Sequence, residues 1–331
     1  MKPQNQNFGL NFRPIKPADY IYRKTSPLRG IEITKEWAQD LPEEEKQSFR
    51  DEKSYIDTKA CVSFSALNCI ETQFNALIRL GLLASEDYEW LKNTGYIVND
   101  KFNCSDRYTA KTSGTTKNGN DAWSVGNAIK NCGLVPEALW PVPSMPFDWD
   151  TYYKEIPDEV IAIGKEFKKR FKIGYEAVYR EHWDEAIQQG PVQVYVHAWG
   201  QKAGDTYMRT EKGINHAVML YDNIEHLIFD HYNPFHKRLA SDFIYYHFGF
   251  LFTIKKRIEP MKLKENHLYQ LVEGHGGFGL AVGGKLIVDD LAKILASFIV
   301  RNGGDTKGKT IAIGQTDWDS TPHYNLKMEK I

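Results

Sequence analysis

The longest regular pattern in the chain runs from Cys61 to Gly81, where Phe64, Leu67, Phe74, Leu77 and Ile78 recur close to the 3.6-residue period. One apolar face at that spacing predicts a helix, with Ser63 and Ser65 early in it and Gly81 as its C-terminal stop. A shorter helix is predicted over SEDYEWLKNTG, with Ser85 as N-cap and Gly95 as stop. A polar, Gly-rich loop covers 111–121, and AWSVGNAIKNCG after it reads as a third helix. The charged stretch 158–189 reads as mostly helical. Beyond Gly190 the period changes. PVQVYVHA alternates and is rich in valine, and HAVMLYDN, HLIFDHY and DFIYYHFGFLFTIKK continue the β character. Helices followed by strands predict an α+β fold and argue against a doubly wound parallel sheet.

The two ends differ from this body. Residues 1–45 are rich in Pro, Asn, Lys and Glu and read as an extension or strap, with a helical piece around EITKEWAQDL. The acidic run Pro42 to Glu45 has the look of a helix first turn. From about residue 259, HLYQLVEGHGGFGLAVGGKLIVDD reads as strands joined by Gly-rich turns, and DDLAKILASFIVRNGG as a helix capped by Asp289 or Asp290 and ended by Gly303–Gly304. The expected organisation is an extension over 1–45, a main domain over 46–258, and a small α/β accessory unit over 259–331 that offers a surface for a protein partner.

Composition narrows the function. Across 331 residues, 42% hydrophobic and 26% charged positions suit a globular chain that builds its core without staples. A net charge of −1 supplies no global field for nucleic acid or membrane, and neither is expected as a partner. The polar first residues lack a signal-peptide apolar region, and no apolar run reaches about 18 residues. The four cysteines, Cys61, Cys69, Cys104 and Cys132, include no CxxC pair, so a zinc ribbon or redox motif is not supported. They read as reduced thiols of a cytoplasmic protein. No metal or cofactor is expected; GHGGFGLAVGGK lacks the spacing of a nucleotide loop.

Candidate chemistry centres on Cys61, at the start of the long predicted helix. A helix N-terminus offers N–H groups and a dipole that favour a thiolate and an adjacent oxyanion. Position alone is weak, because a cysteine there is more often a small buried hydrophobe. Cys69, in the same helix but past its first turn, reads as structural.

DTKACVSFSALNCIE resembles the active-site helix of papain-like cysteine peptidases, with Cys61, Val62, Ser63, Phe64, Ser65 and Ala66 on the family's Cys-aromatic-small-Phe-Ser-Ala run. Further blocks follow in the family's order: NCSDR (Asn103 to Arg107), GLVPEALWP (Gly133 to Pro141), GPVQVYVHA (Gly190 to Ala198) and GINHAVMLYDN (Gly213 to Asn223). The resemblance covers roughly residues 46–256. It implies a helical left subdomain, a β-rich right subdomain and an active site in the cleft between them. It makes Cys61 the nucleophile and His216 its base, at close to the family spacing of about 130–150 residues. For the group that orients the imidazole it points to Asp230, at the end of HLIFD, with Asn233 as competitor.

Departures are visible. Val62 replaces an aromatic, Thr58 stands where a disulfide cysteine often stands, and the tryptophan of the family's Asn-Ser-Trp-Gly segment is missing. The family's oxyanion glutamine falls on Tyr55, and Gln47 is distant in sequence, so that side chain is left unassigned. His182, His226, His231 and His236 read as surface or loop histidines. The resemblance implies peptide hydrolysis of a peptide or protein substrate through an acyl-enzyme. The alternative is a peptidase-fold binding or structural protein without turnover, and acyl transfer on the same dyad is a third reading.

Overall fold

A computed structural model describes residues 8–16, 19–22 and 36–256, with strand residues 270–274, 277–282, 285–287, 311–312 and 325–326. Contacts divide the chain into Met1–Arg257 and Ile258–Ile331. The first unit joins helices to one large sheet, a mixed α and β architecture.

Its first half is mainly helical. A small hairpin of β1 (Ser48–Arg50) and β2 (Tyr55–Asp57) leads into helix α1 (Cys61–Arg79). Helix α2 (Ser85–Thr94) follows, then the two-residue strands β3 (Ile97–Val98) and β4 (Lys101–Phe102). Helices α3 (Asp106–Thr112), α4 (Ala122–Cys132), α5 (Trp149–Tyr152) and α6 (Asp158–Arg170) complete this half.

Helix α1 ends as its glycine predicts. Gly81 has φ +63°, its N–H bonds the Ile78 carbonyl, and the Leu82 N–H bonds that of Leu77. That double bond across a left-handed residue is a Schellman stop. The one-faced amphipathic expectation is too narrow, because every residue from Cys61 to Leu77 is buried. The polar ones lie among neighbours that satisfy them. Gln73 Nε2 donates to the Cys69 and Phe252 carbonyls, Asn75 Oδ1 accepts from the Phe102 N–H, and Glu71 Oε1 accepts from the Cys104 N–H. Helix α2 also differs at its start. Ala84 is its N-cap and Ser85 its first helical residue, with no side-chain cap bond.

Strand β5 (Phe171–Tyr179) corrects the mostly helical reading of 158–189. Phe171, Ile173, Tyr175 and Ala177 are buried while Lys172 is exposed, and the strand pairs along its whole length with β12. Alternation and a full-length partner outweigh the helical look of a Lys-rich segment. The short helix α7 (Trp183–Ala186) follows. The remaining strands are β6 (Val192–Val196), β7 (Lys202–Ala203), β8 (Thr206–Tyr207), β9 (His216–Asp222), β10 (Leu227–Phe229), β11 (His236–Leu239) and β12 (Phe248–Lys256). Among the described residues eight strands form one sheet, in the order β5-β12-β6-β9-β10-β11-β8-β7. All its pairings are antiparallel except β11 with β8.

The sheet centre is covered on both faces. Helix α1 packs on β9, β12 and β6, in a core that includes Phe74, Phe102, Phe167, Tyr195, Met219 and Phe250. Val178, Trp183, Val194, Val218, Leu220 and Leu251 form a second cluster. Gln193 ties β6 to the first turn of α1 by donating to the Val62 carbonyl and the Ser65 hydroxyl, both at 2.8 Å.

The lead-in also differs from expectation. The helical piece near residue 37 is one 3-10 turn, Trp37–Gln39. The run Pro42 to Glu45 is irregular and not helical. Its backbone is used elsewhere: the Glu45 carbonyl bonds His231 Nδ1 at 2.5 Å. Near it lie Glu71, Asp106 and Glu137. Burial pushes all three carboxyls up, and the neighbouring carboxylates push further; Glu137 reaches about 8.

The second unit shows β13 (Gln270–Gly274), β14 (Gly277–Val282) and β15 (Lys285–Ile287) as an antiparallel meander, with β16 (Ile311–Ala312) pairing β17 (Asn325–Leu326). The helix expected from Asp289 onward lies outside the described residues. No helix among the described residues is long and apolar enough to cross a membrane.

Candidate active site

The sheet brings together residues far apart in sequence. His216 opens β9, paired with Val196 on β6, and is fully buried. Strand β10 lies beside β9 and runs back, so its end delivers Asp230 to the start of β9. His216 Nε2 is 2.6 Å from Asp230 Oδ1. The other ring nitrogen, Nδ1, has no hydrogen-bond partner. Asn233 is exposed, ahead of the cis-bonded Pro234, and Asp230 is the residue bonded to the imidazole.

Cys61 is the first residue of α1, after the N-cap Ala60. The backbone N–H of Ala217, the residue next to His216, is near enough to the thiol to favour its anion. The start of α1 and the start of β9 therefore lie side by side here. The thiol is 1% exposed. Burial pushes it well above the ordinary cysteine range, opposed by the Ala217 N–H and Lys59 and helped by Asp57 and Asp230. In this covered state Cys61 is a thiol, contrary to the helix-start expectation of a lowered value, because loss of solvent outweighs the donors.

The cover is the N-terminal segment. The Phe8 N–H bonds the Asn215 carbonyl at 3.3 Å. On the helical side the Asn120 N–H bonds the Gly9 carbonyl, and the Asn11 N–H bonds the Asn120 carbonyl, both at 2.8 Å. The Phe8 ring centroid lies 5.3 Å from that of His216 and 5.2 Å from that of Tyr232. The crossing is tight at Gly9, which has φ +110°; a Cβ there would fall 2.1 Å from the Lys59 carbonyl oxygen.

Gln47, just ahead of β1, is fully buried. Its Nε2 donates to the Tyr232 hydroxyl at 2.6 Å and to the Phe8 carbonyl at 3.4 Å. Tyr232 in turn donates to Asp57 Oδ2 at 2.6 Å. Tyr55 is 59% exposed and takes no part. Sequence spacing hid Gln47 because the β1–β2 hairpin separates it from α1.

Asp230 is held by four donors. Oδ1 accepts from His216 Nε2 and from the His231 N–H at 2.8 Å; Oδ2 accepts from Trp199 Nε1 at 3.0 Å and Lys237 Nζ at 2.8 Å. Burial pushes this carboxyl up, but His216 and then Lys237 pull it down further, to about 2. Trp199 lies in the loop after β6, and its ring meets that of His216 edge-on at 5.8 Å. An indole is thus present at the pair, supplied by the loop after β6 and not by the segment that follows Asp230.

His231 corrects the surface reading. It is 4% exposed, bonded through Nδ1 to the Glu45 carbonyl and through Nε2 to Asn68. Burial lowers it to about 4, so it stays neutral. His197 bonds the Gly213 carbonyl and stands apart from the dyad. Among the described residues no cluster of His, Cys, Asp or Glu suits a metal ion, and all four cysteines are free thiols.

No protein-family model and no curated protein matches this chain. Among solved structures, it is similar to xylellain, a cysteine protease from Xylella fastidiosa, at 13% identity over 77% of this chain and 98% of xylellain, with a TM-score of 0.47.

Proposed function

We propose that this protein is a papain-like cysteine peptidase that cleaves peptide bonds through Cys61, His216 and Asp230. The observation that carries the reading is the buried His216–Asp230 pair at 2.6 Å, on a strand packed against the helix that Cys61 opens. The order of sequence blocks around these residues supports it.

In this reading the N-terminal segment leaves the cleft and a peptide enters. His216 takes the Cys61 proton, and the thiolate attacks the scissile carbonyl carbon. Gln47 Nε2, which already donates to a carbonyl oxygen, and the first-turn N–H of Cys61 hold the oxyanion. Imidazolium protonates the leaving amine, giving a thioester. Water, deprotonated by His216, then releases the acid and restores the thiol. Asp230 fixes the imidazole through Nε2, leaving Nδ1 to carry the proton, and balances the charge that forms.

Residues 46–258 form the catalytic domain in this proposal, 1–45 an extension whose residues 8–11 strap the cleft, and 259–331 an accessory unit for a protein partner. The two subdomains face each other across the strapped cleft. The free thiols suit a reducing compartment, and we assign the protein to the cytoplasm.

The test is a screen of peptide cleavage with labelling by a thiol-reactive peptide probe, on the full chain and on Cys61→Ala. Cleavage and labelling are expected to disappear in the variant. Labelling that persists and maps to Cys69 or Cys104 sinks the assignment, and a chain that binds peptides without cleaving any favours a binding role.

A further inference from the structure

Lys237 is unusual for its place in the fold. It sits on β11 between the exposed His236 and Arg238, and is 2% exposed. Lysine is rarely buried without a partner for its charge. Here all three ammonium protons have acceptors: Asp230 Oδ2 and the carbonyls of Tyr232 and Pro234. The ammonium also lies 4.9 Å from the centroid of the Trp199 ring. Trp199 and Lys237 share Asp230 Oδ2, while His216 and the His231 N–H share Oδ1.

Two positive groups thus draw on one buried carboxylate whenever His216 is protonated. A buried aspartate paired with imidazole alone would hold the proton strongly, and a base that holds its proton strongly is a poor base near neutral pH. The ammonium takes up part of the aspartate charge without breaking its bond to Nε2. Asp230 then orients the ring through a hydrogen bond, as a neutral amide would, with less added charge stabilisation.

We infer that Lys237 is a positioning residue for the proposed reaction: it locks Asp230 in place, offsets its charge, and so sets the pH range over which His216 exchanges its proton. The inference rests on the peptidase reading for its functional meaning. Other charged groups acting here are Lys202 on β7, felt by Lys237, and Asp57 and Lys59 before α1, felt by Cys61. Neutral His231 flanks Asp230 on its own turn.

The test uses the full chain and two substitutions. Lys237→Gln keeps hydrogen-bonding capacity and removes the charge; Lys237→Arg keeps the charge. The His216 ring is followed by nitrogen NMR against pH, assigned with His216→Ala, and the rate of Cys61 alkylation by iodoacetamide is measured over the same range. Lys237→Gln, which removes a cation from beside the His216–Asp230 pair, is expected to move the pH profile of Cys61 alkylation and of the His216 ring signals to higher pH than in the wild type. Lys237→Arg is expected to keep the wild-type midpoint. A folded Lys237→Gln that titrates like wild type overturns the inference and leaves Lys237 a packing residue. If Lys237→Gln does not fold, Lys237→Arg decides: a shifted midpoint despite the retained charge also overturns it. The ring titration is independent of turnover, so a chain that cleaves nothing defeats the peptidase reading without disturbing this readout.

Discussion

His216 Nε2 and Asp230 Oδ1 lie 2.6 Å apart, with the two side chains 0% and 1% exposed. A contact so dry stakes much on both partners, because removing one leaves the other's charge or dipole without water to replace it. Asp230→Asn keeps an acceptor for the imidazole but strands the Lys237 ammonium. We expect it to cost about 3–5 kcal/mol in urea unfolding, against well under half that for the double variant Asp230→Asn/Lys237→Met. Equal losses in the two would show that the buried ion pair is not what Asp230 holds together.

Acid should act on the same region. Asp230 is held at about 2, below its unfolded range, so its contribution is complete above pH 4 and is lost as pH falls toward 2. His231 is depressed to about 4, so the unfolded chain binds its proton first; the corresponding stability is complete above about pH 6.5 and is lost on the way down to 4. The two windows adjoin. Unfolding followed against pH in wild type and His231→Asn should show a loss of about 3 kcal/mol between pH 6.5 and 4 that is absent from the variant. Parallel curves would exclude His231 as its source.

Glu137 carries the opposite sign. Its carboxyl is raised to about 8, chiefly by burial and then by Glu45, so it favours the folded state at low pH and that benefit disappears as pH rises through 8. Glu137→Gln mimics the protonated form. It should be more stable than wild type at pH 9 and nearly equal to it at pH 5, and calorimetry at both values is sufficient to check this.

Gln47 offers a kinetic test. If its amide meets the oxyanion, Gln47→Ala lowers kcat about 10²–10³-fold with a much smaller change in KM. A change confined to KM would limit Gln47 to binding the N-terminal segment and its competitors.

Gly9 offers a structural one. No side chain fits between its Cα and the Lys59 carbonyl, so Gly9→Val should lift the segment and speed probe labelling of Cys61 by about tenfold, equivalent to about 1.4 kcal/mol of lost closure. Labelling at the wild-type rate would mean that the segment does not limit access.

What was legible in the sequence follows from how locally each feature is encoded. The extent of α1 and its stop at Gly81 are written in spacing and one left-handed residue, both local. Asp230 is pointed to by the family resemblance, which places the orienting group at the end of HLIFD, and a strand end is a local signal. Gln47, Trp199 and Lys237 were not, since each reaches the site only through long-range sheet and hairpin geometry. Lys237 in particular sits in HKRL, a string that reads as solvent-facing, and only the turn of Tyr232 to Pro234 folding back over it supplies its acceptors. Strand β5 reads as helix from its local sequence because its identity depends on nine pairings with β12, 69 to 85 residues downstream.

The segment bonded to Asn120 and Asn215 belongs to the same chain as the cysteine it covers. Dilution therefore cannot release it, and a visiting peptide competes against a tethered occupant whose local concentration is set by chain geometry and not by the amount of protein in solution. Short peptides that gain only what residues 8–11 already gain would be at a disadvantage against it. If the chain is the peptidase proposed above, those that also fill ground the segment leaves empty would enter, and the site would select for length and extra contacts before any bond is cut.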